Sequence, residues 1–230
     1  MTRGASDAVP ALYAVSVTPL AEEESFARAY ALASPARREK TDRLRMAADK
    51  RRSLGAELLL RHALGLHTGE ALPPIAYGSK DKPFFPNGGV CFSLSHAGDY
   101  ALCAVAPEEL GCDIERRGRA DMKLAARFFH PEEVALLTAA PEGAERDALF
   151  TRIWTLKESF LKATGRGLTL PMNEFSVCAG EMPTLRQSLD ARAFALREYA
   201  EVPGYAVSVC CVGSPPETLR VVTVAEILNA

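Results

Sequence analysis

Short apolar runs along the chain predict two groups of β-strands. In both groups, β-branched and aromatic residues recur in runs of strand length that are separated by turn residues. The first group comprises 12–17, 90–95, 100–106 and 110–115, and the second comprises 175–178, 194–199, 205–212 and 219–224. Gly98-Asp99 predicts a hairpin turn between the second and third runs of the first group.

Apolar residues at helical spacing lie between these strands. They predict helices over 22–32, over a basic region that runs through 37–64, and over 121–162 with breaks at its two prolines. Ser34-Pro35 predicts the start of the basic region, because serine is a favoured N-cap and proline a favoured first helical residue. Gly165 predicts the end of the last helix.

The order of these elements predicts the α+β class. A strand, helices and strands are followed by further helices and strands, which indicates two halves of similar make-up. We therefore predict an N-terminal half over 1–108 and a C-terminal half over 109–230.

Composition excludes several classes of protein. Lys and Arg number 27 against 29 Asp and Glu, and the net charge of −2 argues against a nucleic-acid-binding protein. No apolar stretch approaches the roughly 20 residues of a membrane-spanning helix, and 1–10 lacks the charged start and apolar core of a secretion signal. The 6 cysteines form no C-x-x-C pair, which favours reduced core thiols over zinc ligands. A cytoplasmic protein without a membrane partner is expected.

The strand 110–115 carries two carboxylates at alternate positions. Asp113 and Glu115 would share one face, while Ile114 points to the core. Two like charges at this distance are unfavourable unless a cation lies between them, and Mg²⁺ prefers such oxygen ligands. The same pattern also fits a solvated acidic strand end.

The helix that follows carries Trp154, Glu158 and Lys162 four residues apart, on one face. Glu158 and Lys162 are spaced as a plain surface ion pair. The single tryptophan of the chain on the same face argues instead for partial burial, where charged groups need other partners.

Two further segments could bind phosphate. Ser95 and His96 end an alternating strand just before the Gly-Asp turn, and they fit either phosphate donors or groups bonded to the backbone. The basic helix contains Arg37, Lys40 and the pair Arg51-Arg52, a concentration of cations suited to phosphate and equally to a solvated helix face.

Taken together, these segments resemble the 4′-phosphopantetheinyl transferases, most closely the broad-range Sfp type. G-x-D-x-E at 111–115 followed by W-T-x-K-E-x-x-x-K at 154–162 is the paired signature of that family, and the resemblance covers nearly the whole chain. Supporting segments are the basic entry at 34–40, the loop at 81–83, F-S-x-S-H at 92–96, R-F-F…E at 127–133 and G-x-G-L at 165–168. Asp81 departs from the glycine of the family's G-K-P loop, and Cys112 from its usual branched apolar residue.

The resemblance implies a monomer of two similar subdomains in a pseudo-two-fold arrangement, with coenzyme A in the cleft between them. The implied activity is Mg²⁺-dependent transfer of the phosphopantetheine arm to a serine of an apo acyl or peptidyl carrier protein, which releases adenosine 3′,5′-bisphosphate. The carrier protein and its pathway are not implied.

The resemblance also implies roles for individual residues. The implied metal ligands are Asp113, Glu115 and Glu158, and the implied catalytic groups are Asp113, Glu158 and Lys162. Glu158 would take the serine proton directly or through a bound water. The implied coenzyme A contacts are Arg37, Lys40, Lys82, Pro83, Ser95, His96, Lys157 and Lys162. One of Arg51 and Arg52 is expected at the nucleotide, and Glu133 is a candidate further acid near the metal.

Two other functions compete with this interpretation. A non-catalytic module that binds coenzyme A or a carrier protein would need a damaged metal site, whereas all three carboxylates and Lys162 are present. Another magnesium-dependent phosphotransferase would be expected to carry a G-x-x-x-x-G-K-[ST] loop or a kinase motif set, and the chain has neither.

Overall fold

The computed structural model describes residues 10–67, 70–78 and 80–229. The prediction that 1–10 contains no secretion signal rests on residues that lie almost entirely outside this part of the chain. Within the described residues, no helix has the length and apolar character needed to cross a membrane.

In the N-terminal half, a long helix covers the main sheet. Its elements are β1 (Ala11–Ser16), α1 (Glu23–Leu32), α2 (Pro35–Arg43), α3 (Ala47–Ala63), β2 (Ala76–Tyr77), β3 (Pro83–Phe84), β4 (Cys91–Ala97) and β5 (Tyr100–Ala106). β5 lies between β1 and β4 and is antiparallel to both. α3 buries a leucine-rich face against this sheet, because its apolar residues recur at helical spacing.

The C-terminal half repeats this arrangement. Its elements are β6 (Leu110–Arg116), α4 (Met122–Phe128), α5 (Pro131–Ala139), α6 (Ala144–Thr164), β7 (Ser176–Cys178), β8 (Thr184–Arg186), β9 (Phe194–Tyr199) and β10 (Tyr205–Val212). β10 lies between β6 and β9, antiparallel to both, and α6 packs on β6 and β10. Each half is therefore a strand, a long helix and a hairpin whose last strand is central, which confirms the α+β class with two similar subdomains.

The end of the chain returns to the N-terminal sheet. β11 (Leu219–Val222) pairs in parallel with the outer edge of β1, and α7 (Val224–Leu228) adds Val224, Ile227 and Leu228 to the N-terminal core. The predicted division at 108 and 109 therefore does not separate the two sheets. The exposed edge of β1 needs a partner strand, and the last strand of the chain supplies it.

Several element boundaries differ from the prediction. The basic region is two helices, because Leu44 and Met46 have extended backbone between α2 and α3. The predicted last strand ends at Val222, since Thr223 caps α7 in a capping box with Glu226. The short pairs β2–β3 and β7–β8 include strands that the apolar pattern does not predict.

Candidate active site

A cavity of about 440 Å³ lies between the two halves. From the N-terminal half it is lined by Arg37, Lys40, Tyr77, Asp81, Ser95 and His96, with Pro83 beside them. The C-terminal half contributes Asp113, Glu115, Trp154, Glu158 and Lys162. The fold thus brings together in one cavity nine of the predicted site residues, which are Arg37, Lys40, Pro83, Ser95, His96, Asp113, Glu115, Glu158 and Lys162.

The close approach of α6 to β6 forms the acidic side of the cavity. Asp113 and Glu115 project from one face of β6, and Ile114 between them is fully buried in the core. A Cβ on Gly111 would lie 2.2 Å from the carbonyl oxygen of Ser159, so only glycine allows α6 to lie this close. This contact places the cavity-facing residues of α6 against the β6 carboxylates.

Lys162 is the cation at the centre of this contact. Its Nζ donates to Asp113 Oδ1 at 2.6 Å, to Ser95 Oγ at 2.9 Å and to the carbonyl oxygen of Cys112 at 3.1 Å. Ser95 Oγ donates in turn to Asp113 Oδ1 at 2.8 Å. Lys162 is therefore bonded across the boundary between the halves and does not form the plain surface pair with Glu158.

The second oxygen of Asp113 lacks a hydrogen-bond partner within the described part of the chain. Asp113 is 4% exposed, and its Oδ2 is buried without a hydrogen bond in the described residues. An orphaned buried carboxylate oxygen is costly unless a cation meets it. This free oxygen fits the role of a metal ligand. No group of three His, Cys, Asp or Glu side chains among the described residues has metal-binding geometry, however.

The pKa values of the two neighbouring carboxylates are raised. Burial, together with the negative charge of Asp113, raises the pKa of Glu115 to about 7, against the opposing effect of Lys162. Burial and Asp113 likewise raise the pKa of Glu158. A divalent cation among these groups would favour their charged forms, which is the electrostatic signature expected of a site built for one.

The opposite side of the cavity is basic. Ser34 caps α2 by accepting from the amide of Arg37 at 3.2 Å, which confirms the predicted helix start. Arg37 and Lys40 lie one helical turn apart and both face the cavity. Burial and the charge of Arg37 lower the pKa of Lys40. His96 is nearby, and burial lowers its pKa, as do the positive charges of Arg52, Lys162 and Lys40, so its neutral form is favoured.

Glu57 supports this basic side and was not predicted as a functional residue. It is 2% exposed, and it accepts from Arg37 Nε at 3.1 Å and from the backbone and hydroxyl of Ser34 at 2.5 Å and 3.0 Å. A carboxylate on the apolar face of α3, at helical spacing from Leu54 and Arg61, is the sequence signal that could have revealed it.

Lys82 does not line the cavity. Its Nζ contacts the carboxylate of Glu109 and donates to the carbonyl oxygen of Ala163 at 3.2 Å, so it joins the loop between β2 and β3 to the C-terminal half. Its neighbours Asp81 and Pro83 do line the cavity. Lys82 therefore orders the loop in this conformation and makes no contact within the cavity.

Lys157, predicted to bind coenzyme A, and Glu133, a candidate further acid near the metal, do not line the cavity. Lys157 is fully buried on a different face of α6, where its Nζ donates to Glu133 at 2.9 Å and to the carbonyl oxygen of Phe175 at 2.7 Å. Burial lowers the pKa of Lys157 to about 8, although Glu133 opposes this shift. The one-residue step from 157 to 158 turns the side chain by about 100° around a helix, away from the cavity.

Neither Arg51 nor Arg52 lines the cavity. Arg52 donates to the carbonyl oxygen of Gly98 at 2.9 Å and pairs with Asp49, so it supports the turn after His96. The expectation that one of these arginines reaches the nucleotide has no support from this geometry.

The chain is similar in sequence to known proteins that share one activity. A family model described as the 4′-phosphopantetheinyl transferase superfamily matches residues 109–210. The 4′-phosphopantetheinyl transferase Sfp of Bacillus subtilis is 31% identical over 217 residues, which cover 91% of this chain and 96% of that protein. The chain belongs to the 4′-phosphopantetheinyl transferases.

Other matches extend the comparison. The 4′-phosphopantetheinyl transferase psf-1 of Bacillus pumilus is 34% identical over 182 residues, 76% of each chain. A solved structure of Thermotoga maritima holo-[acyl-carrier-protein] synthase aligns with a TM-score of 0.39 and 21% identity, over 46% of this chain and 63% of that one, which is too low to bear on the site. As a member of this family, the enzyme transfers the phosphopantetheine group of coenzyme A to carrier proteins.

Proposed function

We propose that the cavity between the halves is the active site, and that Asp113, Glu115, Glu158 and Lys162 act there on the pyrophosphate of coenzyme A. The observation that supports this most directly is the meeting of the α6 face with the β6 carboxylates, opposite the cations of α2. Phosphoryl transfer needs alignment and positive charge more than covalent help from the protein, and this cavity offers both.

Arg37 and Lys40 bind the 3′-phosphate in this proposal. Glu57 and Ser53 fix the guanidinium of Arg37, while Lys40 has the freer ammonium. Ser95 and His96 face the pyrophosphate, with Pro83 and Asp81 in the loop alongside. Lys82 reaches the phosphates only by exchanging its contact with Glu109 for one with the ligand.

Mg²⁺ is the metal that this donor set favours, since all the available ligands are carboxylate oxygens. Asp113 would hold it through the orphaned Oδ2, and Glu115 and Glu158, which line the same cavity, would supply further carboxylate oxygens. When bound, the ion supplies positive charge where negative charge grows on the phosphoryl oxygens. Because no three such side chains among the described residues have ligand geometry, binding of the ion would require side-chain movements.

The chain's own groups then account for the transfer. The serine oxygen of the carrier forms a bond to the β-phosphorus, and the bond from that phosphorus to the oxygen of adenosine 3′,5′-bisphosphate breaks. Glu158, whose side chain lines the cavity with Asp113 and Lys162, accepts the serine proton directly or through a water. Lys162, held by Ser95 and Asp113, donates to the oxygen on which charge develops.

Mass spectrometry of an apo carrier protein, incubated with coenzyme A and Mg²⁺, tests this proposal. A gain of one phosphopantetheine, about 340 Da, is expected for the wild type under the transfer mechanism. Lys162→Ala and Asp113→Asn should be slower by at least about a hundredfold in single turnover, since the first removes a cation at the reacting phosphate and the second weakens the proposed metal site. Arg186→Ala, which removes an exposed cation paired with Glu132 at the surface, is the control and should behave as wild type.

A binding module without catalysis predicts the opposite result. Such a protein would retain coenzyme A or the carrier without any gain in mass. Transfer by Lys162→Ala and Asp113→Asn at the wild-type rate would also contradict the proposed site, even if the wild type is active.

The 3′-phosphate assignment has its own experiment, with dephospho-coenzyme A as the second substrate. Lys40→Ala should raise KM for coenzyme A and leave KM for dephospho-coenzyme A almost unchanged, because the contact is remote from the reaction. Arg37→Ala leaves Glu57 buried without its cation and should therefore also lose stability. Equal discrimination between the two substrates in wild type and Lys40→Ala would refute the assignment.

One chain in the cytoplasm is the proposed working unit. The described residues of a single chain supply both the acidic and the basic side of the cavity. All six cysteines are free, as expected in a reducing compartment. Light scattering of the active protein should give a mass near 24.8 kDa, and a mass of twice that value would refute the monomer.

A further inference from the structure

The hairpin turn after His96 is held from three sides. Gly98 and Asp99 connect β4 to β5, and Gly98 has a φ of +51°. Arg52 of α3 donates to the carbonyl oxygen of Gly98 at 2.9 Å, and the amide of Val17, just after β1, donates to that of Asp99 at 2.8 Å. Both carbonyl oxygens of this two-residue turn are therefore bonded to other elements of the N-terminal half, and a third bond comes from the C-terminal half.

That third contact comes from Tyr205 at the start of β10. Its hydroxyl accepts from the amide of Asp99 at 3.0 Å, although the two residues belong to different halves. Tyr205 is 6% exposed, and its ring packs edge-on against Tyr100 with centroids 5.1 Å apart. A Cβ on Gly98 would lie 2.3 Å from this hydroxyl, so the turn and the tyrosine are closely fitted to each other.

We infer that Tyr205 is a positioning residue, whose hydroxyl holds the Gly98–Asp99 turn and through it His96 in the cavity. The inference rests on the proposed function, because it takes His96 to contact coenzyme A. His96 lies two residues before Gly98 on the same hairpin, so a movement of the turn moves its side chain. Because Tyr205 is anchored on the strand paired with β6, its hydroxyl also ties the hairpin to the half that carries Asp113.

The alternative role for Tyr205 is a purely structural one in the core. The chain offers a matched control for it. Tyr199 on neighbouring β9 is also buried in the same apolar cluster, and its hydroxyl donates one hydrogen bond, to the carbonyl oxygen of Pro216 at 2.7 Å. That bond does not involve the hairpin. Tyr205→Phe and Tyr199→Phe therefore each remove one buried hydroxyl contact while keeping the ring.

Titration calorimetry of coenzyme A, without a carrier protein, measures the effect. Tyr205→Phe should raise Kd for coenzyme A about fivefold, within the range of one lost hydrogen bond, and Tyr199→Phe should leave it unchanged. Under turnover, KM for coenzyme A should rise in Tyr205→Phe while KM for the carrier protein stays constant. A general loss of stability would lower the melting temperature of both variants, and it would not weaken coenzyme A binding in Tyr205→Phe alone.

A double-mutant cycle with His96→Ala separates the possible failures. If Tyr205 acts through His96, the double variant should bind coenzyme A no more weakly than His96→Ala alone. Additive losses, or equal losses in Tyr205→Phe and Tyr199→Phe, would overturn the inference and leave the proposed site intact. Wild-type binding by His96→Ala would overturn the assignment of His96 and the inference with it.

Discussion

At the scale of single residues, Asp81 departs from the family pattern and has a measurable consequence. It stands where the resemblance places the glycine of the family's loop, and its φ of +60° lies in the left-handed region that favours glycine. Aspartate tolerates this region better than most residues. Its carboxylate, however, lines the cavity that we propose binds the phosphates of coenzyme A.

We expect Asp81→Gly and Asp81→Asn to lower KM for coenzyme A by about threefold, because both remove a negative charge facing phosphate. Asparagine keeps the tolerance for positive φ, so the two variants separate the charge from the backbone. Steady-state kinetics with coenzyme A as the varied substrate provides the measurement. An unchanged KM in Asp81→Asn would show that the charge has no effect.

Glu115 gives the metal-free protein a defined pH dependence. Its folded-state pKa of about 7 is above its ordinary value of 4.5, so the folded protein retains a proton that the unfolded chain has released between these values. Stability is therefore highest below pH 4.5 for this group and falls as pH rises through 7. Glu158 shifts in the same direction and adds to the effect.

Melting temperatures measured in a chelating buffer should accordingly fall between pH 5 and pH 8 in the wild type. Glu115→Gln should flatten the curve, leaving the smaller contribution of Glu158. Mg²⁺ should restore the melting temperature most at pH 8, because binding requires the charged carboxylates. Parallel curves for wild type and Glu115→Gln would contradict this assignment of the titrating group.

At the scale of elements, α6 has two charged faces with different tasks. Glu158 and Lys162 face the cavity, whereas Lys157 faces the core and joins three elements. Glu133 accepts from Lys157 of α6 and from the amide of Val177 in β7 at 2.7 Å, and it lies in α5 itself. The pair therefore fixes how α5 and β7 pack on the signature helix.

We expect Lys157→Met to destabilise the protein by about 3–5 kcal/mol, because it leaves the carboxylate of Glu133 buried and unpaired. The double variant Lys157→Met with Glu133→Gln leaves no buried charge and should recover most of this loss. Urea denaturation measures both free energies of unfolding.

KM for coenzyme A in the double variant should equal that of wild type, since neither side chain lines the cavity. A large increase in this KM would return Lys157 to the binding site. An equal loss of stability in single and double variants would instead show that the buried charge is not the cause.

At the scale of the whole molecule, the last residues of the chain complete the first sheet. β11 covers the edge of β1, and α7 inserts Val224, Ile227 and Leu228 into the N-terminal core. Each such side chain contributes roughly 1.5–3 kcal/mol by burial. The two halves are thus linked by chain topology as well as by the cavity.

Truncation after Glu217, which keeps Pro216 as the partner of Tyr199 in β9, should therefore destabilise the N-terminal half first. Hydrogen exchange measured by mass spectrometry should show lost protection in β1 and β5, while β6 and β10 keep theirs. The fluorescence of Trp154, the single tryptophan, reports on the C-terminal half. At low temperature, truncation should therefore change this fluorescence little. Uniform loss of protection across both sheets would indicate one cooperative unit instead.

The sequence alone determines the local features of this protein. Alternation along 110–115 correctly places Asp113 and Glu115 on one face, and helical spacing correctly places Trp154, Glu158 and Lys162 on another. Ser34 as a helix cap and the Gly98–Asp99 turn follow from backbone preferences of single residues. These features depend on neighbours within a few positions, so periodicity is sufficient to predict them.

The tertiary structure alone decides which of these faces meet. Lys162 bonds to Asp113 because Gly111 allows α6 to lie against β6. The spacing of apolar residues within either element does not predict that contact. Lys157 differs from Glu158 by one position, and only the packing of α5 and β7 shows that its partner is Glu133 rather than a phosphate. Pairing between segments distant in the chain depends on which surfaces bury one another, and the pattern of a single segment does not carry that information.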